Sequence, residues 1–257
     1  MKKIFFIAVI LGSVIAFAIE PSEKALEMFT AKVYTDNGDT LLYRLLTPQD
    51  PEGDRRYPLV LFLHGAGERG SDNRRQLIWG ADHFLTQEHR EKYPCYVLAP
   101  QCPAGSRWVD VNWDLPYHFM PEEPSLPMRL VTGLLEETLN ALPVDRDRIY
   151  VTGLSMGGYG TWDIVSRMPE RFAAAAPVCG GGDMQEAEKL TDIPVWAFHS
   201  VDDRTVPVER SRKMVMAIRE AGGKCVRYTE YRDAGHGSWK RAYRDPGFFA
   251  WMFAQER

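Results

Sequence analysis

The chain has little that would tie it to a metal, a nucleic acid or the interior of a membrane. Its 257 residues hold no C-x-x-C and no H-E-x-x-H spacing, so neither a metal site nor a metal cofactor is expected. There is no basic run with interleaved aromatics. With 31 Lys and Arg against 35 Asp and Glu, the net charge of −4 makes no surface for nucleic acid. Internal repeats and low-complexity linkers are absent too, so residues 19–257 are expected to form one domain. Cysteine is scarce, at positions 95, 102, 179 and 225 only. Four cysteines allow three full pairings and the sequence selects none. Cys95 and Cys102 bracket an extended run that would hold them about 23 Å apart, and a disulfide needs Cα atoms within about 7 Å.

Long apolar runs are nearly absent as well. The exception, residues 4–18, is short for a membrane span. It follows Met1-Lys2-Lys3 and ends in Ala16-Phe17-Ala18, the small-x-small pattern of a signal cleavage site. Residues 1–18 therefore read as a signal peptide, with a retained N-terminal anchor as the alternative. No Cys follows the run, which argues against a lipid anchor. The expectation is a secreted or periplasmic protein with no stable membrane insertion after cleavage, in a compartment that permits disulfides.

What is present has the rhythm of an α/β protein. Residues 28–48 alternate apolar and polar around Asn37-Gly38, a strong hairpin signal that predicts an antiparallel start to the sheet. Then come short apolar runs with little alternation, at 58–64, 94–100, 148–154, 172–178, 193–199 and 225–231. Between most of them lie amphipathic stretches such as 127–142 and 207–222, the second opening on Pro207 and closing on Gly222-Gly223. Strands of that kind joined by helices predict a mostly parallel sheet with helices on both faces. Residues 102–127 break the pattern with several prolines and two tryptophans, and a loop that long is usually functional or mobile.

The sharpest motif is Gly153-Leu154-Ser155-Met156-Gly157, G-x-S-x-G between a strand and a helix. A serine that attacks a carbonyl must stand clear of the sheet on a tight turn, and side chains two residues to either side would collide with that turn. Such a serine needs a base, and six histidines compete. His64 and His199 end strands and read as packed residues. His83 and His89 lie in a charged, helical segment, and His118 in the irregular loop. His236 stands between two glycines after the last strand, in 233-DAGHGSW-239, and is the candidate base. An acid is expected between them in chain order. Asp203 is the candidate, just before the turn into the next helix, and Asp202 is the alternative.

The stretch 61-LFLHGAGERG-70 contains G-x-G-x-x-G, which would suit a dinucleotide. That reading wants an acid at the tip of the next strand, which ends instead in Ala99-Pro100-Gln101. A serine hydrolase wants a second oxyanion donor from just such a loop, beside the N–H that follows the nucleophile. Ala66 N–H, with Gly65 or Gly67 as alternatives, and Met156 N–H are the candidate donors.

Together HGAGERG, RIYVTGLSMGGYGTW, the D-x-x-V-P acid loop and DAGHGSW resemble the α/β-hydrolase superfamily, in family order and over essentially the whole chain after residue 18. Within it the chain is similar to secreted single-domain carboxylesterases grouped with dienelactone hydrolases and the catalytic domains of prolyl oligopeptidases. The resemblance implies an α/β-hydrolase fold with an eight-stranded, mostly parallel sheet, and it carries a catalytic triad onto Ser155, Asp203 and His236. Two departures stand out. Prolyl oligopeptidases gate their site with a propeller for which this chain has no room, and dienelactone hydrolases use cysteine where this chain has Ser155. The resemblance implies a carboxylic ester substrate, a small molecule or acetyl or feruloyl groups on plant polysaccharide, and no organic cofactor. Trp108 and Trp113 in the irregular loop are the candidate substrate-binding residues, with Trp79 and Trp239 as further candidates. A peptidase of the same fold and a non-catalytic binding homologue are the alternatives.

Overall fold

The computed structural model describes residues 19–49, 51, 53, 55–113 and 115–257, so the expected signal peptide at 1–18 lies outside the described residues. The strands are β1 (Thr30–Asp36), β2 (Asp39–Leu46), β3 (Tyr57–Leu63), β4 (Tyr96–Pro100), β5 (Val144–Leu154), β6 (Ala174–Val178), β7 (Val195–Ser200) and β8 (Val226–Tyr231). They form one eight-stranded sheet in the order β1-β2-β4-β3-β5-β6-β7-β8. The pairs β1–β2 and β2–β4 are antiparallel and every other pair is parallel. Asn37 and Gly38, at φ 50° and 87°, make the two-residue turn between Asp36 and Asp39 that the first hairpin requires.

The absence of alternation in the inner strands has a direct cause. Leu59, Leu61 and Leu63 of β3 face one buried layer, while Val60 and Phe62 face the other. A strand covered on both faces needs apolar residues at every position. The covering helices are α1 (Glu23–Met28), α2 (Gln87–Lys92), α3 (Leu126–Ala141), α4 (Met156–Arg167), α5 (Glu209–Glu220), α6 (Trp239–Ala242) and α7 (Phe248–Phe253). Ser125 caps α3, its Oγ accepting from Met128 N–H, and Pro127 sits in the first turn. Helix α5 ends where Gly222 takes φ 101° and Gly223 N–H returns to Ile218 O, a close for which glycine is the fitting residue.

Strand order determines what meets at the top of the sheet. Leu63, the last residue of β3, is the register partner of Gly153, one residue before the end of β5, so the loop after β3 lies beside the turn after β5. The loops after β7 and β8 follow on the other side, from Ser200 and Tyr231. Ligands of open α/β sheets bind at these carboxyl ends of the strands. Residues 102–125, between β4 and α3, carry no regular helix or strand among the described residues and pack over the same end.

Candidate active site

Ser155 occupies the turn from β5 into α4 at φ 53° and ψ −117°, a conformation a non-glycine residue rarely takes. Strain of that kind costs of order 1–3 kcal/mol and persists only where neighbours enforce it. Here Ser155 N–H donates to Val178 O at 2.9 Å, and Ser155 O accepts from Tyr159 N–H at 3.1 Å. The two flanking glycines are needed for space. A Cβ on Gly157 would run into Leu63 O, and one on Gly153 into the backbone of Gly157.

The Ser155 hydroxyl lies 2.8 Å from His236 Nε2, and His236 Nδ1 lies 2.8 Å from Asp203 Oδ2. A carboxylate only accepts, so Nδ1 carries the hydrogen and Nε2 is left to accept from the serine. His236 reaches that place from a 3₁₀ turn, Gly235–Gly237, with Gly235 at φ 57°. The other face of its ring meets Trp239 edge-on at 5.4 Å.

Asp203 and Asp202 do different things. Burial pushes the Asp203 pKa up, but hydrogen bonds from His199, His236 and the Val206 and Thr205 amides outweigh it and hold the carboxyl well below the usual range. Asp203 is therefore ionised beside the His236 imidazole. Asp202 points instead into the loop contact. Its Oδ1 accepts from Ser200 Oγ at 2.6 Å and from Gly235 N–H at 2.8 Å, tying the acid loop to the histidine loop.

His199 was legible as a packed residue, and it is buried, but its partners were not legible. Its Nε2 lies 3.2 Å from Asp203 Oδ2 and 3.0 Å from Val206 O, and its Nδ1 lies 2.8 Å from Ser211 Oγ. Asp203 thus meets two imidazoles. No pattern in the chain announces that contact, because it depends on how the loop after β7 folds back on its own strand.

The loop after β3 is held by His64, which burial keeps neutral with a pKa lowered to about 4. Its Nε2 accepts from Cys102 N–H at 2.9 Å and its Nδ1–H donates to Gly65 O at 2.6 Å. In a trans peptide the carbonyl and the next N–H point in opposite directions. With Gly65 O turned to His64, Ala66 N–H is turned the other way. Ala66 and Met156 each open a helical turn, so neither N–H has an intrahelical acceptor. Both residues line one cavity of ≈ 350 Å³ together with Ser155 and His236.

Four aromatic residues, Trp79, Trp113, Tyr159 and Trp239, and the acid Glu68 also line the cavity. Trp113 leans on Tyr159, with ring centroids 6.3 Å apart. Trp79 and Trp239 pair at 6.0 Å. Trp108 is a correction to the sequence reading. It is fully buried, its indole N–H donates to His64 O at 3.0 Å, and its ring packs against the His64 ring. Composition placed both tryptophans in the loop over the site, yet only Trp113 reaches the cavity; Trp108 anchors the loop beneath it.

Cys179, at φ 41° after β6, lies just below this group. Its sulfur and one donor atom each of Asp203 and His236 lie within 4.8 Å of one another, the cluster among the described residues that could hold a metal. Asp203 and His236 already bond each other, and burial pushes the Cys179 thiol up to about 12, so the sulfur is protonated and the other two members are engaged. All four cysteines are free thiols, and only Cys225 is exposed.

Several known proteins resemble this chain. The model of the prolyl oligopeptidase family matches residues 132–198, from within α3 to within β7. A bifunctional acetylxylan esterase/xylanase of Neocallimastix patriciarum is 24% identical over 146 residues, covering 57% of this chain and 19% of that protein. A probable carboxylesterase of Arabidopsis thaliana, SOBER1-like, is 24% identical over 194 residues, covering 69% and 71%. A crystal structure of a thermostable esterase superposes with a TM-score of 0.84 at 44% identity, covering 91% of this chain and 64% of that one. The chain thus spans under two thirds of the thermostable esterase and about a fifth of the bifunctional enzyme. A sheet of this order, with a strained serine at the β5–α4 turn and a superposition covering 91% of this chain on a relative 44% identical to it, is the α/β-hydrolase fold.

Proposed function

We propose that the protein is a serine carboxylesterase that hydrolyses carboxylic esters through an acyl-enzyme on Ser155. The observation that carries this reading is the continuous hydrogen-bonded chain Ser155–His236–Asp203, at 2.8 Å and 2.8 Å, opening into an aromatic-walled cavity. His236 Nε2 takes the serine proton as Oγ attacks the ester carbonyl, and Asp203 stabilises the imidazolium without taking the proton itself. Ala66 and Met156 N–H receive the oxyanion. His236 then protonates the departing alcohol, and a water activated by the same nitrogen releases the acid. No step calls for a metal or an organic cofactor.

The substrate class we favour is an acetyl or feruloyl ester on plant polysaccharide. Flat rings such as Trp79, Trp113 and Trp239 suit a sugar or an aromatic acid, and one relative is an acetylxylan esterase/xylanase. With it go export, residues 1–18 as signal peptide, and residues 19–257 as one catalytic domain. The match to the prolyl oligopeptidase family supports a second reading, a peptidase of the same fold.

The test is hydrolysis of p-nitrophenyl acetate beside Ser155→Ala, followed by acetylated and feruloylated xylan and a panel of prolyl and acylated peptides. Turnover of the ester lost in the variant supports the esterase. Equal turnover in both proteins, or cleavage of the peptides alone, overturns it.

A further inference from the structure

The cavity holds one group that the proposed mechanism leaves unused. Glu68 is 7% exposed and contributes to the cavity wall that Ser155 and His236 share. It is the third residue of the short turn Ala66–Glu68, whose capping residue is Gly65. From that position a glutamate reaches back over its own turn. Its Oε2 lies 3.0 Å from the point where a Gly65 Cβ would stand. The Gly65 and Glu68 N–H groups and the Trp79 indole favour its charged form. Among the described residues, none of the ion pairs involves it. The neighbouring Arg69 is turned away, donating to Ala66 O at 2.8 Å and Ser106 O at 3.1 Å. Arg75 acts on Glu68 only from a distance, and a buried acid with no ion-paired cation, kept inside such a cavity, is matched to something that enters it.

We infer that Glu68 sets the charge selectivity of the site: the cavity takes esters that are uncharged or carry a cationic hydrogen-bond donor near the scissile bond, and excludes those that carry a carboxylate there. This rests on the esterase reading of Ser155 and deepens it. The aromatic wall tolerates neutral rings and repels anions, while Lys240 and Arg107 already lie over the Trp79 and Trp113 rings, so the acid and not the indoles makes the selection. The carboxylate lines the same cavity as Ala66, so a substrate that carries its own carboxylate there would meet like charge.

Three methyl esters of matched length test this: methyl hexanoate, monomethyl adipate and methyl 6-aminohexanoate, followed by pH-stat for the parent enzyme and Glu68→Gln. The readout is the ratio of kcat/KM between esters, which cancels any general loss of activity or folded enzyme in the variant. We expect the parent to prefer the ammonium ester and disfavour the carboxylate ester. Glu68→Gln should raise the adipate-to-hexanoate ratio about tenfold, the order expected for unit charges ~10 Å apart at an effective dielectric of about 20, and lower the ammonium-to-hexanoate ratio.

A second measurement needs no variant. Burial raises the Glu68 pKa, against hydrogen bonds and the Arg75 guanidinium. The other charged groups about it are Asp72, joined to its main chain through Gln101, His236 across the cavity, and Lys240 on the Trp79 ring. As pH falls and Glu68 takes up its proton, the ammonium-to-hexanoate ratio of the parent should decline toward the variant's, while His236 affects both esters alike. Ratios equal in parent and variant overturn the inference alone. Turnover of none of the three esters by the parent overturns the esterase reading and the inference with it.

Discussion

Replacing Ala66 by proline removes one N–H and disturbs little else in the backbone. Ala66 opens its 3₁₀ turn, the position where proline is best tolerated because its missing N–H has no intrahelical acceptor. The residue before a proline must be extended, and Gly65 already sits at φ −80° and ψ 179°. Gly65 also lacks the Cβ that a proline ring would crowd. The fold should therefore accept the substitution, and the loss falls on catalysis. Removing one oxyanion donor costs about 2.7–4 kcal/mol of transition-state stabilisation, which is a fall of about 10²–10³ in kcat. The proline Cδ occupies the space of the lost hydrogen, so the fall should be at least that large. The assay is p-nitrophenyl acetate turnover at saturating substrate, with thermal unfolding of both proteins as the control on folding. A variant with an unchanged Tm and a kcat within about threefold of the parent would refute the reasoning. In that event the donor would be Gly65 or Gly67 and the peptide argument from His64 would be wrong.

Other expectations follow from the same geometry. Asp203→Asn should lower kcat by about 10⁴, because the histidine loses the partner that sets its tautomer; Asp202→Ala, which cuts only the tie between loops, should cost far less, and equal losses would contradict the division of roles. Acid should destabilise the fold well above the carboxylate range. His64 stays neutral in the fold down to about 4, whereas the unfolded chain takes up that proton near 6.5. The stability involved is complete above pH 6.5 and is lost as pH falls toward 4, at up to about 1.4 kcal/mol per unit. His89 and His118, lowered to about 4 mainly by burial, act in the same direction. A urea midpoint unchanged between pH 7.5 and 5 would count against this. Thiol titration should find one reactive cysteine, Cys225, in the native protein and four after denaturation; four blocked thiols would mean disulfides instead.

Much of the site is written locally. Glycine spacing around Ser155 specifies a tight turn whatever packs nearby, because a Cβ at either glycine would strike backbone. Gly235 announces the turn that presents His236, since its φ of 57° suits glycine. Asn37-Gly38 dictates a hairpin, and uninterrupted apolar runs such as 58–64 dictate strands buried on both faces. These are statements about neighbours along the chain, and sequence alone determines them. Convergence across the sheet is a different matter. That His199 shares Asp203, that Glu68 bends back over the Gly65 turn, and that Trp108 is buried under a loop whose Trp113 reaches the cavity are contacts between distant or differently oriented side chains. Both tryptophans have the same local signature, and only the space beside Gly160 and the carbonyl of His64 gives Trp108 its buried place. Sequence determined which residues have the chemistry; tertiary packing decided which of them face the cavity, because burial and hydrogen-bond partnership exist only once the strands are side by side.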